Sequence, residues 1–313
     1  MKALTTLAFV AAFTCAALPL SAKIERTVEK TFTVTGIGTL RLNTSGGAIR
    51  VSPGPDGVVT IVAKETIRAD SDAEADKLLE DLELTFAQNG NDVQASAKYD
   101  RPVSGFFRWG GSPVVVEFIA TVPAAYVTDL RTSGGSITVG DLNGRVETRT
   151  SGGGIRLGRI GNDVDAHTSG GSITLRSASG NVKLNTSGGR IEVGNVAGTA
   201  DLSTSGGSIE IESVSNRVNA HTSGGSVRAG IAGKLNGDCE LSTSGGSVSV
   251  TVDKAASFQL DASTSGGGVN VNGITMTLQN GHHSRNKLSG PVNGGGPLLK
   301  LRSSGGSIRV DAR

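Results

Sequence analysis

The chain has 313 residues, 46 of them glycine, with 36% hydrophobic and 4% aromatic content and a formal net charge of +2. Glycine stands at about twice its ordinary share without a collagen-like triplet, and the near-neutral balance excludes the strongly basic face that nucleic-acid binding requires. Beyond residue 22 the only cysteine is Cys239, so an exported form has no internal disulfide framework to rest on.

The first 22 residues, "MKALTTLAFVAAFTCAALPLSA", place a lysine before an apolar run and Ser21-Ala22 before the polar Lys23. This pattern reads as a cleaved secretory signal, because the run is too short to span a bilayer comfortably. A lipid anchor at Cys15 is the rival reading, and Thr14 is a poor residue to precede a lipidated cysteine. No later segment is apolar enough to cross a membrane as a helix. The chain is therefore expected to be exported, to the periplasm or to the cell surface.

Residues 23–65 supply the first strands and a first copy of the phrase that dominates the rest of the chain. Residues 66–124 break the pattern. There "SDAEADKLLEDL" sets Ser71 and Glu74 at capping-box spacing and Ala75, Leu78, Leu79 and Leu82 on one helical face. "LELTFAQNGNDVQASAKY" reads as a hairpin around Asn89-Gly90, and "SPVVVEFIATVP" as a strand. This α+β insertion is expected to cap one end of the structure that follows, since an uncovered edge invites aggregation.

From 125 to 313 the repeat governs. A Thr/Ser-Ser-Gly-Gly tetrad begins at residues 44, 132, 150, 168, 186, 204, 222, 243, 264 and 303, with five successive gaps of 18 residues. Five and seven places after each opening residue stand aliphatic residues, such as Ile155 and Leu157 or Ile173 and Leu175. Two and four places before it stand others, such as Leu184 and Val182. A spacing of two is the period of a strand with one buried face, so each repeat predicts two short strands joined by a glycine corner. Glycine at the corner allows positive φ and close approach of stacked turns. The threonines share the inward parity and would lie one above another. The fold predicted is all-β: a single-chain parallel β-helix, or β-solenoid, of about 18-residue coils. Units are expected to pile up consecutively, with an irregular loop over 273–298 before the last.

An exported chain with a short helix and hairpin, then "LRTSGGSI" repeats and a late "NGGGP…LRSSGGSIRV", resembles a bacterial family of β-strand repeats of unknown function that carries an adhesin label. The likeness runs from about residue 30 to 313. It implies a β-solenoid with an adhesin-like role, and it brings no catalytic residues to this chain.

Three constellations invite chemistry. An outward column, Asp129, Glu147, Asp165, Lys183, Asp201, Asn219, Glu240 and Asp261, steps along one sheet at about 4.8 Å. Adjacent carboxylates could serve glycoside hydrolysis or bridge calcium, but Lys183 neutralises its neighbours, so a solvated sheet face is the expectation. His167 and His221 lie three coils apart, too far to share a metal, and His282-His283 lack a third ligand. Cys239 falls in an inward valine column and is expected to be a small core residue. "SGFFRWGG" gathers Phe106, Phe107 and Trp109, three of only eleven aromatics, either as a surface contact or as a plug for the solenoid end.

The sequence therefore predicts no catalytic residue, no metal and no cofactor. It predicts a non-enzymatic, adhesin-like binding or structural protein of the cell envelope whose partner is an envelope protein or a glycan. A polysaccharide-active enzyme using the acidic column and an element that assembles end to end are the alternatives. Nothing in the sequence fixes the oligomeric state.

Overall fold

The structure, a computed structural model, describes residues 23–99, 112–276 and 283–313. The signal-like segment 1–22, the aromatic trio Phe106, Phe107 and Trp109, and His282 lie outside the described residues.

Strands alternate between two long sheets, of 13 and 14 strands. The amino-terminal region contains β1 (Lys23–Thr33), β2 (Thr39–Thr44), β3 (Ile49–Pro53), β4 (Val58–Arg68), α1 (Asp72–Leu79), β5 (Leu82–Asn89), β6 (Asp92–Tyr99) and β7 (Val114–Val122). The first regular coils are β8 (Val127–Thr132) with β9 (Ile137–Val139), β10 (Val146–Thr150) with β11 (Ile155–Ile160), and β12 (Val164–Thr168) with β13 (Ile173–Ala178). Next come β14 (Val182–Thr186) with β15 (Ile191–Val196), β16 (Ala200–Thr204) with β17 (Ile209–Val214), and β18 (Val218–Thr222) with β19 (Val227–Ile231). The carboxy-terminal strands are β20 (Cys239–Thr243), β21 (Val248–Val252), β22 (Phe258–Thr264), β23 (Val269–Asn272), β24 (His283–Ser284), β25 (Lys287–Val292), β26 (Leu298–Ser303) and β27 (Ile308–Ala312).

Successive coils pair in parallel and in register. Ile155 meets Ile137 and Ile173, and Thr150 meets Thr132 and Thr168. The inward rows are sealed: Ile137, Ile155, Ile173, Ile191 and Ile209 have no exposed surface. Each tetrad is the corner between the two sheets, and its bonding explains the repeated phrase. The Thr168 hydroxyl donates to the carbonyl of Gly153 in the preceding coil at 2.8 Å and accepts from the N–H of Gly171 in its own corner at 3.3 Å. The same two bonds recur at Thr150, Thr186, Thr204 and Thr222. The threonines do not bond to each other; each ties its coil to the glycine of the one before, which satisfies a polar group in a dry corner.

The glycines of the corners serve differently from the expectation. None of them has φ in the left-handed region; positive φ occurs at Gly57, Gly90, Gly233, Gly273, Gly294 and Gly295. What the second tetrad glycine provides is closeness: a Cβ at Gly171 would lie 2.1 Å from the Gly153 carbonyl oxygen, and one at Gly189 2.0 Å from that of Gly171. Thus only half of the predicted role for glycine survives, the approach of one turn to the next.

At the amino end both sheets finish in antiparallel strands, whereas at the carboxy end only the 14-stranded sheet does and the other ends on β23, parallel to β27. At the amino end β6 and β7 run parallel to β2 and β3 and stand in for a missing coil, with Val116 O accepting from the Thr44 hydroxyl at 2.9 Å. Antiparallel β5, β4 and β1 then close the two sheets. The Ser71 hydroxyl caps α1 by accepting from Glu74 N–H, while the Glu74 carboxylate reaches back to Asp70 N–H at 3.0 Å. The helix stops at Leu79; Leu82 opens β5 instead of extending the helical face.

The carboxy end departs from consecutive stacking. The sheet orders run β20-β26-β22 and β21-β27-β23, so the last coil in sequence is inserted between the two before it. Within 273–298, read from sequence as an irregular loop, β25 pairs antiparallel with the outer edge of β22, and β24 pairs with β25. With β25 on its outer edge, β22 has only its inner edge left to take β26. The insertion thus keeps two partners on β22 and leaves an antiparallel strand as the terminal cover.

Candidate functional site

The outward acidic column is present and in register from Asp129 through Glu147, Asp165, Lys183 and Asp201 to Asn219 and Glu240. Insertion of β26 places Lys300 between Glu240 and Asp261, a neighbour that residue spacing did not reveal. Most of these acids are paired: Glu147 with Arg149 at 3.2 Å, Glu240 with Lys300 at 2.9 Å, Asp129 with Arg131 at 2.9 Å, and Asp261 with Arg302. They form a laced, half-wet sheet surface.

His167 and His221 sit on separate strands, with β14 and β16 between theirs, and His221 Nδ1 lies 2.9 Å from the Ser242 hydroxyl. Among the described residues no group of three or more His, Cys, Asp or Glu side chains is placed to hold a metal ion. Cys239 is buried in the inward column, and burial pushes its thiol pKa up, which suits a core residue and not a nucleophile.

The feature that sequence reasoning missed lies on the opposite sheet. A recess of about 690 Å³ runs across the outer face of β13, β15, β17, β19 and β21. One wall is the in-register row Thr174, Glu192, Glu210 and Arg228. The other alternates side chains with gaps: Arg176, Gly194, Glu212, Gly230, Thr251. Gly194 and Gly230 are held to glycine by the chain beneath, since a Cβ at either would lie 2.1 Å from a carbonyl oxygen of the preceding coil. Glu212 leans over the first gap, its carboxylate 3.7 Å from where that Cβ would be. Between β17 and β19 the register slips, setting Glu212 and Ser213 against Gly230. Such a bulge re-aims side chains locally, and here it falls in the floor of the recess.

Electrostatically the trough is mixed. Arg228 pairs with Glu210 at 3.1 Å, and Arg313 enters from the end of the chain, held by Asp253 at 3.2 Å. Backbone N–H of Gly233 and the Arg313 guanidinium keep the Asp253 carboxyl below its usual pKa. Arg176, Glu192 and Glu212 add charges of both signs to the lining. The arrangement offers bidentate donors and acceptors over an open, glycine-notched floor, which suits recognition of a polar surface. The signal for it was legible in principle, as glycine at 158, 194 and 230 alternates in one outward column with Arg176 and Glu212.

Among curated proteins none matches this chain. Solved structures of similar shape include a candidate adhesin from Bacteroides fragilis, 14% identical, covering 91% of this chain and 97% of that one with a TM-score of 0.38. A candidate lipid-binding protein from Parabacteroides distasonis is 13% identical over 91% and 96%, with a TM-score of 0.48. A candidate adhesin from the same species is 12% identical over 91% and 97%, at 0.47. The profile of one family, described as Toastrack DUF4097, matches residues 40–311. Stacked Thr-Ser-Gly-Gly corners, two sheets and this match together place the chain in the Toastrack DUF4097 family.

Proposed function

We propose that the protein is an exported, non-enzymatic β-solenoid that binds an envelope protein or a glycan at the periplasmic or cell surface, in an adhesin-like role. The observation that carries this reading is the trough across β13 to β21. It is broad and open, one wall is a largely charged row in register, the other alternates side chains with glycine gaps, and its floor is backbone, which favours contact with an extended partner over capture of a small molecule. The signal-like segment 1–22 supports export, and Phe106, Phe107 and Trp109 are proposed as a second contact.

The test is a pull-down with residues 23–313 from native envelope extract. Two variants accompany it, Arg176→Gln/Glu192→Gln/Glu212→Gln and Phe106→Ala/Phe107→Ala/Trp109→Ala. The expected result is a discrete captured species that falls at least tenfold with the first variant and by less with the second. Equal capture by all three proteins, or none by any, rejects the reading.

A further inference from the structure

The inserted last coil points to an interaction of the chain with itself. Residues 298–313 form the β26–β27 unit, which lies between β20 and β22 in one sheet and between β21 and β23 in the other. Its inward residues Leu299, Leu301, Ile308 and Val310 have no exposed surface. It bonds in both directions: Ser303 donates to Gly246 O at 2.8 Å on one side, and Thr264 donates to Gly306 O at 2.6 Å on the other. Lys300 pairs with Glu240, and Asn272 donates to Asp311 at 2.7 Å. The unit is therefore a wedge filling a slot between two coils that precede it in sequence.

The link into the wedge is short and tightly turned. Five residues, 293–297, carry the chain from β25 on one flank of β22 to β26 on the other, about 10 Å away at two strand spacings. Asn293 has φ of 47°, the one non-glycine residue with positive φ among those described, and Gly294 and Gly295 follow at 90° and 85°. The Asn293 side chain is pinned by donating to Lys254 O and Ala256 O. Short, tightly turned links of this kind favour exchange of the element they carry, because a second copy presents an identical slot without requiring the turn.

We infer that residues 298–313 are an exchangeable donor: the wedge leaves its own slot and fills that of a second copy, giving a reciprocal two-fold dimer with every wedge contact retained. Exchange requires no new interface, so chain concentration sets its extent. A swapped dimer would present two troughs on one particle, and a repetitive partner would then be held with the avidity of two linked sites.

The experiment uses the full chain carrying Ser249→Cys/Arg309→Cys, a pair in register between β21 and β27. Isotopically heavy and light preparations are mixed, concentrated, warmed to just below the unfolding transition, cooled and oxidised. The expected result is heavy–light disulfide-linked peptides that increase with chain concentration. Inserting Gly-Ser-Gly-Ser between Gly294 and Gly295 is expected to reduce them at least tenfold. Only heavy–heavy and light–light links in monomers, at every concentration, overturn the inference, as does a dimer containing none but intrachain links. Should the cysteine variant fail to fold, native mass spectrometry of unaltered mixed chains decides the matter. A swapped heavy–light dimer survives dilution for hours, whereas absence of dimer, or its immediate dissociation, overturns the proposal.

Discussion

At the scale of single residues, the two glycines of each corner are unequal, although the sequence writes them as a pair. A Cβ at Gly171 would overlap the Gly153 carbonyl at 2.1 Å, while one at Gly170 would meet Gly152 O at 3.3 Å. Overlap with backbone cannot be relieved by a rotamer change, so Gly171→Ala is expected to cost at least ~2 kcal/mol. Gly170→Ala is expected to stay within about 1 kcal/mol of the parent, helped by the reduced freedom of its unfolded chain. Urea midpoints of the two variants check this, and equal losses would mean that corner closeness is not what selects glycine. The buried acid of the cap provides a second test. Glu65 lies on the inward face of β4 at 5% exposure, and burial raises its pKa above the ordinary value, with Arg26 opposing. A raised carboxyl pKa means the folded chain binds more protons than the unfolded one between the two values, so stability falls as pH rises through that window. Glu65→Gln is therefore expected to raise the melting temperature at pH 7, with the gain disappearing below about pH 4, where the unfolded group is protonated too. A gain that persists at low pH would assign the effect to packing instead. The acids held below their usual range act oppositely: Asp92, which accepts from Thr39 N–H, contributes stability at neutral pH that is lost on acidification.

At the scale of elements, the rows of aliphatic residues made the strands and corners legible, because a period of two directly encodes a sheet with one dry face. The columns through Ile155 and Val182 fall inward as the spacing implies. Local period does not encode which strand lies beside which, and this is why the insertion of β26–β27 was invisible. All coils carry the same inward pattern, so any order of coils satisfies it equally. The order is decided by β25, which occupies the outer edge of β22, and its alternation was obscured by glycine and proline in "KLSGPV". The trough was hard to read for a related reason: its second wall is interrupted by glycine, which marks no side-chain pattern, and a bulge at Glu212-Ser213 has no sequence period at all. Lys300 offers a direct probe of the order. Lys300→Glu sets a third carboxylate between Glu240 and Asp261 and is expected to cost about 1 kcal/mol at low salt, with much of it recovered by Glu240→Lys in the same chain. A cycle showing no coupling between positions 240 and 300 would contradict the inserted arrangement.

At the scale of the whole molecule, the stack is nearly one-dimensional, since each coil bonds to its two neighbours and to little else. A single coil cannot cover its own edges, so stability resides in the contacts between coils and in the antiparallel strands that close both sheets at the amino end and one sheet at the carboxy end. Removing one complete repeat should therefore leave a foldable molecule, provided that the cut preserves the corner phase. Deleting residues 151–168 joins Thr150 to Ser169 and removes a coil outside the trough, while deleting 187–204 joins Thr186 to Ser205 and removes Glu192 and Gly194 from within it. Both shortened chains are expected to unfold cooperatively, with a modest loss of stability from one missing interface. Binding should separate them: the first deletion keeps capture of the proposed partner, and the second lowers it at least tenfold by closing the trough's middle. Circular dichroism and denaturant titration establish folding before each pull-down. Equal capture by two folded deletion chains would assign recognition to the capped ends, and would remove the trough from the mechanism.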